Sequence, residues 1–280
     1  MTIPNKPLKV LLDHGIITHA GFAKGAVQNQ ESDWGQTLEI HGLIRKAPNK
    51  NKAYQNDIDA LFTIGRLIRE EKISAYDYIE ISFEGWRDTE KIHEFNALQG
   101  CNIDRCKSAI ERSKFRSSVN LRDTISKGGK KDRQAKIPQG ITNQIAFFDW
   151  LAKLDPSHVD LIIQSAPKIG LTDFEIDSLK RIAWFEFLCK RSGSTENYPD
   201  VFHLWTAERN SMDVFLTLEK KLTKLVSRVK NENRSTIEIQ TEVLRPLDLL
   251  RKLGIENPDP VPMQHNRFYH LHEAEGEMLR

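Results

Sequence analysis

The amino-acid sequence predicts an α/β fold, a mainly parallel central sheet between layers of helices, and three observations carry that prediction. Short apolar runs of strand length occur at Val10–Leu12 and Val214–Thr217, and Tyr76–Ser82 also reads as a strand, as expected of a covered sheet. Longer segments with apolar residues at helical spacing separate them. Acids stand close to the ends of the runs, and parallel sheets gather their ligands at the carboxyl ends of strands.

In chain order, Val10–Leu12 reads as a buried strand, and Ile16–Ala23 as the start of the element leaving it. Lys24–Asp57 is polar and rich in Asn, Gln and Lys, so it reads as an insertion or long loop, with Thr37–His41 alternating like a short strand. Asp57–Lys72 places Leu61, Ile64, Leu67 and Ile68 on one helical face, and Tyr76–Ser82 follows as a strand. Gly85–Gln139 lacks sustained periodicity and reads as a second insertion, most pliant at Gly128-Gly129-Lys130-Lys131.

Ile141–Leu154 is amphipathic, with Ile145, Phe148, Trp150 and Leu151 as candidate core positions, and Ser157–Gln164 is helical. Thr172–Arg191 is a further helix, opened by Thr172 and Glu175 at capping-box spacing. A helix starts at Asp200, the strand Val214–Thr217 follows it, and Leu222–Val229 is helical again. Thr236–Thr241 alternates like a last strand before the apolar run Leu244–Leu253, and Pro258–Arg280 reads as a loosely held tail. No internal repeat is evident.

A chain of 280 residues holds one enlarged domain or two small ones. Its three cysteines, Cys101, Cys106 and Cys189, fit a reducing cytoplasm better than a disulfide framework. No segment approaches the roughly 20 apolar residues of a membrane span, and the first seven residues lack a signal-peptide core. Net charge is only +2, which argues against indiscriminate coating of nucleic acid. The distribution is uneven: Arg105–Lys136 carries eleven Lys or Arg against Glu111, Asp123 and Asp132. Within it Arg112, Lys114, Arg116, Lys130 and Lys131 are the candidate contacts to a phosphate backbone, with Phe115 as a stacking partner. The bland alternative is an exposed charged insertion.

The most telling stretch is Tyr198–Leu222, in which Asp200 opens a helix and Glu219 follows a strand. It resembles the last third of a PIN-like nuclease domain. Leu8–Asp13 is similar to that family's first strand with its first catalytic aspartate, and Tyr78–Glu84 offers the glutamate it places in the middle. These segments cover about a quarter of the chain. Two departures accompany them: Glu219 stands where the family usually has Asp, and His14-Gly15 where Thr-Asn is common.

The resemblance implies a three-layer α/β/α domain over residues 1–256 with insertions at about 24–57 and 85–140, and a C-terminal tail at 257–280. It implies a metal-dependent endonuclease of single-stranded RNA, less readily DNA, with Asp13, Glu84, Asp200 and Glu219 as catalytic residues holding Mg²⁺ or Mn²⁺. Such ions prefer oxygen ligands, and carboxylates gathered without them repel one another and raise one another's pKa. An inhibitory protein partner and a toxin–antitoxin role also fall within the family's range. The alternative is a catalytically decayed PIN-like module that binds nucleic acid or protein.

Each acid also has an ordinary reading. Asp13 and Asp200 suit helix starts, Glu219 suits a solvated neighbour of Lys220 and Lys221, and Glu80 and Glu84 suit an edge strand. Alternation puts Glu80, Ser82 and Glu84 on one face, and Glu84 is preferred because the strand should end there. Asp213 reads as a turn acid, Glu208 as a neighbour of the site or a solvated side chain, and Thr217 as an ordinary strand residue or a hydrogen-bonding partner beside the metals. His14 reads as a loop histidine or a phosphate contact. Phe202, Trp205 and Arg209 share a helical face, and the aromatics suit a core. Cys101 and Cys106 with His93 have a loose zinc spacing, as do the histidines at 265, 270 and 272.

Overall fold

The computed structural model describes residues 6–86, 96–115, 139–232 and 238–272. A five-stranded sheet of Leu8–Leu12 (β1), Ile73–Asp77 (β4), Ile103–Arg105 (β5), Val214–Leu216 (β6) and Glu242–Leu244 (β7) runs in the spatial order β5-β4-β1-β6-β7. All four pairings are parallel. The chain builds outward from β1 through β4 to β5, then crosses back to β6 and β7, so the strand order reverses between β1 and β6. Such a reversal is where open parallel sheets gather ligands, at the carboxyl ends of the two strands.

Period-two alternation divides the core. Val10 and Leu12 of β1 and Val214 and Leu216 of β6 pack into one cluster, while Leu11 and Phe215 pack into the other. Both clusters are buried, which makes the α/β architecture compatible with a three-layer arrangement.

On the first face Lys52–Arg69 (α2) packs Ala60, Leu61, Ile64, Leu67 and Ile68 inward; its start is capped by Asn51, which accepts from the Tyr54 amide. Gln139–Leu151 (α4), Pro156–Gln164 (α5), Ala166–Ile169 (α6), Asp173–Lys180 (α7), Ile182–Ser192 (α8) and Tyr198–Arg209 (α9) follow in chain order, and the opposite face is covered by α4, α7, α8 and α9, whose Phe148, Leu179, Phe185, Phe202 and Trp205 are fully buried. The Thr172–Glu175 capping box is present. The helix expected over 172–191 is two helices, because the backbone at Arg181 departs from helical geometry. Lys220–Asn231 (α10) follows β6 with Leu222, Leu225, Val226 and Val229 turned inward.

Several expectations are corrected. The polar segment 24–57 is not a loop: Ala23–Glu31 (β2) and Thr37–Arg45 (β3) form a nine-residue antiparallel hairpin. The strand expected at 76–82 ends at Asp77, and Ile79–Trp86 (α3) is a helix. The segment 85–140 is not wholly an insertion, since β5 within it is an edge strand of the main sheet; residues 87–95 and 116–138, including Gly128-Gly129, lie outside the described residues. Trp150 is exposed. Of the strand expected at 236–241, residues 236–237 lie outside the described residues and 238–241 are not a strand; β7 begins at Glu242, and the apolar run after it is a helix, Pro246–Lys252 (α11). The tail is anchored as far as residue 272: Phe268–His270 (β8) pairs with β3, and Met263 and Tyr269 are buried.

Candidate functional site

Asp13 leaves β1 at the reversal point. Its amide donates to Leu216 O (3.0 Å), extending the β1–β6 ladder by one bond and holding the residue beside Thr217. Asp13 precedes the short helix His14–His19 (α1), yet its side chain makes no cap. Instead Thr217 Oγ1 donates to Asp13 Oδ2 at 2.6 Å, and the same hydroxyl oxygen accepts from the Glu219 amide at 3.0 Å. Burial pushes the Asp13 carboxyl up, against the charge of His203 and the Thr217 hydrogen bond.

Asp200 lies in the first turn of α9, half-buried. Burial and the charge of Asp13 raise its pKa to about 7, with Glu219 and Glu84 adding repulsion. Glu219 is exposed at the N-terminal boundary of α10 and makes no side-chain cap. Asp200 therefore feels the charges of the three other acids, and Asp13 that of Glu84.

Glu84 differs from the other three. It stands on α3 rather than at a strand end, and its Oε1 accepts from Gln144 Nε2 (2.8 Å) and meets His203 Nε2 at 3.3 Å. Burial pushes Glu84 up, but the charge and hydrogen bond of His203, with Gln144, outweigh it and hold the group at about 2. His203 is the reciprocal case: burial lowers it, yet Glu84, Asp13 and Asp200 carry it to about 9. The imidazolium then donates from Nδ1 to the Tyr78 hydroxyl, 2.5 Å away. Glu80, the rival on the same helix face, is committed elsewhere: Arg112 binds it through Nε (3.2 Å) and Nη2 (3.0 Å), both side chains buried.

Among the described residues, no three His, Cys, Asp or Glu side chains converge closely enough to hold one metal ion. The acids make an electrostatic cluster rather than a closed cage.

Arg112 is corrected as a nucleic-acid contact, because a guanidinium buried against Glu80 does not face a polyanion. Lys114 is largely covered and pairs with Glu175 at 2.6 Å, so it too serves the interior. Arg116, Lys130 and Lys131 lie outside the described residues. Asp213 is a turn acid, accepting from the Lys9 amide at 2.8 Å, and Glu208 binds the amides of Gln240 and Thr241 at the entry to β7. Phe202 and Trp205 are core residues. Cys101 packs toward the α2 cluster and Cys106 toward the opposite one, so the sheet separates them; His93 lies outside the described residues.

Sequence reasoning missed His203, Gln144 and Tyr78. His203 had a readable signal, one helical turn from Asp200 on the same helix. Gln144 and Tyr78 had none, since only packing brings α4 and the start of α3 to this point. No family model, curated protein or solved structure matches the chain.

Proposed function

We propose that the chain is a PIN-like, metal-dependent endonuclease that hydrolyses phosphodiester bonds in single-stranded RNA, its three-layer domain enlarged by a basic insertion. One observation carries the reading: Asp200 feels the charges of Asp13, Glu219 and Glu84, and burial together with these acids raises its pKa to about 7. Gathered acids that raise one another's pKa suit a divalent cation, which would relieve their repulsion.

The donor set is oxygen-rich, as Mg²⁺ or Mn²⁺ requires. Asp13, Asp200 and Glu219, which do not converge on one point here, would have to draw together to hold the ion, with Glu84 completing the acidic surround from its place beside His203. A bound ion supplies an activated water and offsets charge on the leaving oxygen. The chain's own residues do the positioning. Thr217 fixes one oxygen of Asp13, and the pair of Glu84 and His203 keeps a positive charge among the acids at neutral pH.

Purified protein is expected to cut 5′-labelled single-stranded RNA with Mn²⁺, and Asp13→Asn or Asp200→Asn to abolish cutting. Activity persisting in both variants rules the mechanism out.

A second reading, a decayed PIN-like module that binds without cleaving, draws on two observations. Among the described residues no closed three-ligand group exists, and Glu84 is already occupied by His203 and Gln144. Calorimetric titration with Mn²⁺ separates the two, because the module gives no heat that Asp13→Asn removes.

A further inference from the structure

A cavity of about 640 Å³ opens beside the acid cluster, between the α8–α9 junction and α10, and Asp200 belongs to its wall. This is the size of a pocket that takes a small organic ligand or one or two nucleotides. Its lining has two chemistries. Val201, Leu222 and Leu225 present apolar surface, while Lys221, Lys224 and Arg228 supply the cationic part of the wall.

The arrangement follows from the sequence of α10. Leu222, Leu225, Val226 and Val229 turn toward the core, and Lys221, Lys224 and Arg228 at i, i+3 and i+7 fall together on the neighbouring face. They span about 10 Å of helix axis. All three are exposed, and among the described residues none makes an ion pair. An apolar floor below a row of solvated cations matches a ligand with a flat apolar face and regularly spaced negative charges. A strand with unstacked bases has both.

We infer that this groove is the track of a single-stranded RNA, with Lys221, Lys224 and Arg228 on its phosphates, and that it feeds the strand past Asp200 into the acid cluster. The identity of the polymer rests on the nuclease reading; the groove itself rests on the cavity and on the cationic face of α10. This replaces the basic stretch 105–136 as the first contact in the part of the molecule that is described, where Arg112 and Lys114 point inward.

The test is anisotropy of a fluorescein-labelled single-stranded RNA 12-mer with the full chain in EDTA, across a salt titration. Lys224→Ala/Arg228→Ala is expected to weaken binding at least tenfold at low salt and to flatten the log K against log salt slope by about 1.4, the value for two lost single-strand phosphate contacts. Lys220→Ala/Lys230→Ala removes the same charge from the same helix outside the groove and is expected to leave affinity within about twofold. Equal losses in the two pairs, no loss in the groove pair, or no binding by the wild type each overturn the inference. Cleavage of the same RNA in Mn²⁺ is scored separately. Cutting by the wild type with unchanged binding in the groove pair sinks only the groove; groove-dependent binding without cutting sinks only the nuclease.

Discussion

Thr217 Oγ1 lies 2.6 Å from Asp13 Oδ2, joining the ends of β6 and β1 across 204 positions of sequence. The hydroxyl has two tasks, donating to a buried carboxylate and accepting from the Glu219 amide. Thr217→Val keeps the shape and removes both. A hydrogen bond to a buried charged group contributes about 1.5–3 kcal/mol, so urea unfolding is expected to show a loss of that order, with Thr217→Ser recovering most of it. Equal stability of Thr217→Val and the wild type would mean that Asp13 is held by something else.

The pair of Glu84 and His203 sets a pH window. His203 is raised to about 9 from 6.5, so its contribution is complete below 6.5 and is lost as pH rises through about 9. Glu84 is lowered to about 2 from 4.5, so its contribution is complete above 4.5 and is lost as pH falls through about 2. Their joint effect is greatest between about pH 4.5 and 6.5. His203→Gln in EDTA is expected to cost about 3–5 kcal/mol at pH 6, the cost of breaking a buried pair, and less at pH 9.5. A pH-independent cost would show that the pair is not charged.

Arg112 and Glu80 are a buried ion pair with two hydrogen bonds, so Arg112→Ala strands a carboxylate in the interior. A loss of about 3–5 kcal/mol is expected, read from urea unfolding, with RNA affinity unchanged under conditions where the variant stays folded. A folded Arg112→Ala protein with tenfold weaker RNA binding would restore the arginine to a nucleic-acid role.

The sequence was legible where partners are close along the chain. Val214–Leu216 alternates its faces, Thr172 and Glu175 sit one turn apart, and Asp200 opens its helix beside Pro199; each signal is local. Glu80 and Glu84 were not separable, because Tyr78-Ile79-Glu80-Ile81 alternates like a strand and both acids fall on one helix face. Distant residues decide between them: Arg112 takes Glu80, while His203 and Gln144 take Glu84. The alternation at Thr37–His41 marks the first half of β3, while the rest of the β2–β3 hairpin was hidden for a different reason. Both strands are exposed over most of their length, so no buried face imposes sustained alternation, least of all on β2. The cations of α10 were visible but overlooked, their density being lower than that of the 105–136 run.

Gly42 of β3 shows how closely the C-terminal strand is seated. A Cβ there would lie 2.4 Å from both the Phe268 ring and Tyr269 O, and the backbone oxygen cannot swing aside as a side chain can. Gly42→Ala is therefore expected to break the β3–β8 pairing and release residues around Met263–His270 to limited proteolysis, while the five-stranded sheet persists by circular dichroism. Unchanged cleavage kinetics would show that β8 is held by Tyr269 and Met263 burial alone.

Asp200 separates repulsion from catalysis. Its pKa is raised to about 7 from 3.8, so the native state is favoured by the proton below 3.8 and loses that advantage as pH rises through about 7. At pH 8 in EDTA the wild type bears the full cost of a buried charge among like charges, and Asp200→Asn is expected to melt at the higher temperature; near pH 4 the two should converge. Added Mn²⁺ reverses the order, because a ligand bound only by the native state stabilises it by mass action, and the variant lacks one of the carboxylates that would hold it. If Asp200→Asn melts below the wild type at pH 8 without metal, Asp200 stabilises the fold rather than straining it, and the view of these acids as a gathered cation site loses its electrostatic basis.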